Sequence, residues 1–263
     1  MYIGANILYF VWQLVSRVPD GTFSEFMTGK VLTAQAACNF FVFGESPFAS
    51  HIWYLSAFLY VLLVFFPFGG NPNTKVLIVL TPLLLLAGLL IGRYPVVLWG
   101  RKFSYLYTRN FILTGIPYFS LGIIIRKYED KIRLSNISLI LLSILFIITT
   151  VVARFIFGKM NIMGGQDLYA STTLLSLVLF LLAVKNPEFG KGSFAEKIGY
   201  RYSADMYIWH VLFILIVFKI VDRWGMAPGY VYFAPVMIYV ISVLFAMLLS
   251  KIKMGFRSHQ SEA

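Results

Sequence analysis

Charge is what this sequence has least of. Only 13% of its 263 residues are Asp, Glu, Lys or Arg, whereas 59% are hydrophobic. Ordinary soluble domains carry about 25% charged residues, so a water-facing surface cannot be built from this chain. With a mean hydropathy of +0.80, the composition calls for an integral membrane protein. Cysteine is nearly absent. Cys38 stands alone, which excludes an intramolecular disulfide and any multi-cysteine metal site and leaves the compartment open. No His-x-x-x-His or His-Glu pair sits at ligand spacing, so no metal is expected. No glycine-rich phosphate loop, internal repeat or low-complexity tract occurs. Nor is there an Arg-rich run with a recognition pattern of aromatics. The net charge of +11 is therefore not read as nucleic-acid binding, because lysines beside apolar spans set topology or meet anionic lipid. Met1 leads directly into apolar residues, without the basic region or cleavage site of a signal peptide.

What is there is a series of apolar runs. A membrane-spanning helix needs roughly 17–25 apolar residues. Eight candidates lie at about 1–16, 51–67, 75–92, 109–126, 134–157, 168–184, 202–221 and 230–250. The loops between them are too short for a separate soluble domain, so a single all-α transmembrane bundle over 1–263 is expected. Residues 31–43 are apolar but too few to cross, and they read as an interfacial or re-entrant segment lying against protein. With the N-terminus inside, twelve Lys/Arg fall on the inner side and ten on the outer. The clusters at 126–133, 185–201 and 251–257 all favour N-in, C-in. The basic group at 93–109 breaks the rule, either as a solvated loop or as a contact for an anionic or polar ligand.

Two segments place a histidine in or beside a span: His51-Ile52-Trp53-Tyr54-Leu55-Ser56 and Ser203-Ala204-Asp205-Met206-Tyr207-Ile208-Trp209-His210. An imidazole in hydrocarbon is costly and tends to face a polar cavity. Ser203, Tyr207 and His210 share one helix face. Asp205 lies about 140° around from His210, which disfavours pairing within the helix, and it reads as a first-turn acid at the positive dipole end. His210 reads either as a packed histidine bonded to a neighbouring helix or as a general base near pH 7. Trp53 and Tyr54 fit an interfacial aromatic belt, which does not account for His51. Arg109 either grips phosphate or carboxylate through its planar fork or snorkels to the interface. Asp167, Tyr169, Ser171, Thr172 and Thr173 open the sixth span, where the hydroxyls serve as packing glue or as substrate contacts.

In order along the chain, these stretches resemble the membrane acyltransferase family 3. They are His51 to Leu55; Arg109-Asn110-Phe111 through Gly115-Ile116-Pro117-Tyr118-Phe119 to Gly122; Asp167-Leu168-Tyr169 with Ser171-Thr172; and Ile198-Gly199-Tyr200 leading to Ser203, Tyr207 and His210. The resemblance implies acyl transfer, commonly acetyl, from an acyl-CoA donor to a hydroxyl of a surface or exopolysaccharide or its lipid-linked precursor. It implies His51, Arg109, Tyr207 and His210 as catalytic-site residues and Tyr54, Asn110 and Ser203 as substrate-binding ones. It also implies a bacterial plasma-membrane setting. Members of the family have about ten spans, and the first carries a histidine without a counterpart here. An N-terminally incomplete domain, short of two spans, is therefore expected, with little or no activity on its own. A polyprenyl-linked glycan transporter or flippase, whose usual internal repeats are not visible here, and a non-catalytic membrane remnant, which the missing spans would suit, are the alternatives.

Overall fold

The computed structural model describes residues 1–69, 71–161, 168–225 and 227–260. Among them the chain is helical, without strands, and eight long helices carry the architecture. They are α1 (Tyr2–Arg17), α2 (Trp53–Phe65), α3 (Thr74–Ile91), α4 (Ile116–Tyr128), α5 (Asn136–Lys159), α6 (Ala170–Lys185), α7 (Phe194–Arg223) and α8 (Ala227–Gln260). Five stretches are long and apolar enough to cross a bilayer: Ser50–Phe68, Thr74–Ile91, Asn136–Lys159, Phe194–Arg223 and Tyr232–Met254. Each leaves most of its apolar surface uncovered. On α5, for example, Ile137, Leu141 and Val151 are each more than 60% exposed. Exposed aliphatic faces on this scale suit lipid rather than water. The chain is an all-α, multi-pass membrane protein.

Two compact units divide it, Met1–Pro187 and Glu188–Ala263. In the first, α5 and α6 form a hairpin that packs with α4 around Ile125, Leu139, Val178 and Leu181. Hydroxyls join these helices. Tyr118 donates to Thr173 at 3.1 Å, and Thr150 donates to Ser171 at 2.8 Å. The hydroxyls that open α6 are thus packing glue, with Thr172 capping its own helix through the Tyr169 carbonyl. Asp167 lies outside the described residues. In the second unit α7 packs on α8, and Lys253 donates to both oxygens of Asp205, at 3.0 and 3.1 Å.

That ion pair corrects the expectation for Asp205. The seventh helix begins at Phe194 rather than at 202, so Asp205 sits in its third turn, away from the dipole end. Ser193 caps the helix by accepting from the Glu196 amide at 3.1 Å, and the Glu196 carboxylate accepts from the Gly192 amide. Ser193-x-x-Glu196 is a helix-start signature. Hydropathy alone hid it, because Lys197 and Arg201 make the first two turns polar.

The short apolar segment is largely exposed, with Leu32 and Phe41 each 71% open, and is tied to the flanking helices mainly through its backbone. Ala34–Cys38 continues into a wider turn, Asn39–Phe43, that ends at Gly44. Tyr60 on α2 donates to the Phe41 carbonyl at 2.8 Å, and Ser56 donates to the Gly44 carbonyl at 2.6 Å. Gln13 on α1 donates to the Phe48 carbonyl at 3.0 Å. Side chains of the flanking helices thus satisfy carbonyls that lipid could not.

Gly44 is required there. Its φ is +72°, and an added Cβ would lie 2.2 Å from the Ser56 hydroxyl. Gly44→Ala should cost more than Gly100→Ala, whose φ of +62° imposes the same left-handed backbone with open space around it. The backbone term is about 1–2 kcal/mol at either site, and the clash adds to it only at Gly44. Thermal midpoints of the two purified variants check this; equal losses would remove the steric argument.

Candidate functional site

In the second unit, the stripe read from sequence opens onto a groove of about 710 Å³ between α7 and α8. Ser203, Tyr207 and His210 line it from α7 beside Ile198 and Met206, facing Tyr230, Tyr239 and Ser242 on α8. The lining is mostly apolar, with hydroxyls set along it. His210 Nδ1 lies 2.8 Å from the Tyr207 carbonyl and 3.2 Å from that of Met206. Only an N–H can be satisfied by two carbonyl oxygens, so Nδ1 carries the proton and donates. In the neutral ring, Nε2 then bears the basic lone pair. The helix backbone fixes both tautomer and ring direction. The Tyr230 hydroxyl is buried and has no hydrogen-bond partner among the described residues. Sequence reading passed over this tyrosine, since it sits at a span mouth where aromatics are ordinary.

The first unit holds the remaining expected residues. His51 lies in the turn Ser50–Ile52 that leads into α2, edge-on to the Tyr9 ring at 4.8 Å. Tyr54 is about half exposed and stacks on Phe58. It lines a smaller groove with Trp53, Thr114 and Tyr118, among different neighbours from those of His51. Asn110 is buried, and its amide is engaged on both sides. Oδ1 accepts from the Ile112 and Leu113 amides, and Nδ2 donates to the Leu106 and Tyr107 carbonyls. The two accepted bonds cap the turn Phe111–Gly115 that enters α4 and the two donated ones hold the preceding turn Tyr105–Tyr107, so Asn110 acts as a clamp of the chain.

Arg109 stands beside that clamp, with its guanidinium carbon 5.4 Å from the Tyr105 ring centre. Tyr105 donates a short hydrogen bond to Glu45. Glu45 also accepts from Asn39 at 3.1 Å, and Asn39 accepts from Gln35 at 2.8 Å. A polar chain thus runs from the short apolar segment to the basic loop. Glu45 and Tyr105 were not among the expected site residues, because nothing in their local sequence announces a pairing sixty residues apart. Burial, reinforced by the Glu45 carboxylate, pushes the Tyr105 phenol up to about 12.

Among the described residues no cluster of His, Cys, Asp and Glu could hold a metal ion. The fold defines a polytopic membrane protein, and the histidine-bearing groove is its candidate site. The family model described as an acyltransferase domain, that of the membrane acyltransferase family 3, matches residues 1–253. The chain belongs to this family, and its function is of the membrane acyltransferase type. No curated protein matches it, and no solved structure does.

The raised Tyr105 phenol favours the neutral form in the folded protein. Its contribution is therefore complete below the ordinary tyrosine value of about 10 and is lost as pH rises through about 12. With ring-labelled tyrosine, the carbon-13 signal that disappears in Tyr105→Phe should titrate near 12. In Glu45→Gln it should titrate lower but still above the ordinary value, since burial persists. A wild-type midpoint at the ordinary value would break the link between Glu45 and Tyr105.

Proposed function

We propose that this chain transfers an acyl group, with acetyl the first candidate, from an acyl-CoA thioester to a hydroxyl of a surface or exopolysaccharide or of its lipid-linked precursor. One observation carries the reading: His210 is held by its Nδ1–H on the Tyr207 carbonyl at 2.8 Å, in a groove lined by hydroxyls. In the proposed step the acceptor hydroxyl oxygen attacks the thioester carbonyl carbon and passes its proton to His210 Nε2. The tetrahedral intermediate expels the coenzyme A thiolate, which takes the proton back. An ester is formed and a thioester broken, and His210 returns to its neutral state. Ser203 and Tyr230 would orient the acceptor. Tyr207 holds the base through its carbonyl. His51 and Arg109 belong to the first unit and are given no part in this step. The mostly apolar groove with its line of hydroxyls also fits a carrier of lipid-linked glycan, and thioester consumption separates the two readings.

Purified protein given acetyl-coenzyme A and a polysaccharide acceptor should release free coenzyme A thiol in step with ester formation. His210→Gln should lower turnover by about 10²–10⁴-fold, the usual contribution of a positioned base, while the KM for the donor changes little. Donor left unconsumed by the wild type would sink the enzyme reading. Normal turnover by His210→Gln would move the base to His51.

The basic clusters at 126–133, 185–201 and 251–257 support a plasma-membrane chain with both termini on the cytoplasmic side. Helix α5, of 24 residues, stands between two convenient fusion points. Topology reporters after residues 130 and 160 should read opposite sides; equal readings would reject the arrangement.

A further inference from the structure

Arg93 follows α3 by two residues and is 7% exposed. Its Nε and Nη1 are buried and have no hydrogen-bond partner among the described residues. Its guanidinium carbon lies 4.3 Å from the Tyr169 ring centre and 5.7 Å from that of Phe157. Those two rings are themselves buried and stack on each other at 5.9 Å. Tyr169 is the residue that caps the N-terminus of α6, a helix of 16 residues. The Tyr94 hydroxyl accepts from the Ala170 amide at that same helix start, at 3.2 Å. A buried guanidinium thus sits at the positive end of a helix dipole, packed on aromatic faces.

Each of these features points the same way. A buried charge is costly unless it is paired and hydrogen-bonded. Aromatic faces attract the cation, at about 0.5–2 kcal/mol, but accept none of its in-plane N–H groups in the strong geometry that a carboxylate or phosphate offers. The helix N-terminus adds positive potential and favours an anion. Arg126–Glu129, Lys191–Glu188 and Lys253–Asp205 are ion pairs that do not involve Arg93.

We propose that Arg93, backed by Tyr169 and Phe157 at the start of α6, is a binding site for a phosphate oxyanion. The group is gripped through the in-plane N–H groups of the guanidinium. An anionic phospholipid headgroup and a free phosphate ion present the same chemistry. The site belongs to the first unit and is independent of the acyl-transfer reading. Its test reads binding rather than turnover.

Full-length protein is placed in nanodiscs of phosphatidylcholine alone, in the same lipid with added phosphatidylglycerol, and in phosphatidylcholine with inorganic phosphate. The wild type should gain roughly 2–4 °C of thermal midpoint, about 1 kcal/mol for a chain of this class, in at least one of the two anion arms. A gain with phosphatidylglycerol alone identifies a lipid headgroup, and a gain with inorganic phosphate identifies a small-anion site. Arg93→Gln should abolish the gain. Arg93→Lys keeps the charge without the fork and should lose most of it, which covers the case in which the glutamine variant fails to fold. Arg101→Gln, an exposed arginine of the same basic loop, should keep the gain, which separates Arg93 from general attraction to that loop. A wild type indifferent to both anions overturns the proposal. So does a gain that survives in Arg93→Lys and Arg93→Gln. Asp167 is the acid nearest to Tyr169 in sequence. If Asp167→Asn lowers the midpoint and Arg93→Gln adds no further loss to it, the counter-ion is internal and the proposal falls.

Discussion

Hydrocarbon supplies no hydrogen bonds, so every polar group that this chain carries into the membrane must find its partner in the chain itself. That constraint accounts for most of the interactions that fix the first unit. The Ser56 hydroxyl reaches the Gly44 carbonyl and that of Tyr60 reaches Phe41, so the turn that cannot continue as a helix is closed by its neighbour. Asn110 spends both ends of its amide on four backbone groups where the chain enters α4. Ser143 folds back on the Leu139 carbonyl at 2.9 Å within its own helix. Such bonds contribute modestly one by one, about 1 kcal/mol each. Leaving the same groups unmet would cost more, and this asymmetry fixes where the segments lie.

Tyrosine is the residue through which this chain most often reconciles apolar bulk with polar need. Its ring packs like any hydrophobic group, while its hydroxyl reaches a partner at the far end. Tyr60, Tyr94, Tyr105 and Tyr118 each tie one segment to another in this way, to a carbonyl, an amide, a carboxylate and a threonine respectively. Sixteen tyrosines in 263 residues are therefore more than an interfacial belt. Lysine does similar service at helix ends. Lys127 reaches Thr74 at 2.8 Å, and Lys185 reaches the Leu134 and Ile132 carbonyls, so two of the basic clusters read as topology signals also lock helices together.

The eight helices were legible because hydropathy over a span is a sum, insensitive to any one residue. Their ends were less so. The start of α7 was missed because its first turns are polar, although Ser193 and Glu196 mark it locally. The groove-facing stripe of Ser203, Tyr207 and His210 was legible from helical periodicity, and the structure places all three along one cavity. Glu45 with Tyr105, and Arg93 with Tyr169, were not legible. Each joins residues sixty or more positions apart, and no local pattern encodes which loop returns to which helix end. Asn110 shows the converse: the motif located a fixed residue, while its side chain serves the backbone.

His210 and Arg93 satisfy the same constraint in opposite ways. The imidazole donates its one N–H to the helix that carries it, so in its neutral form the second nitrogen carries the basic lone pair. The guanidinium has five donors and no acceptor, and cannot lose its charge within a protein. A histidine can therefore be buried at little cost and still act as a base. A buried arginine beside aromatic rings keeps an unmet demand for an anion. Imidazole chemistry thus permits proton exchange at neutral pH, whereas a guanidinium can only hold a charge in place.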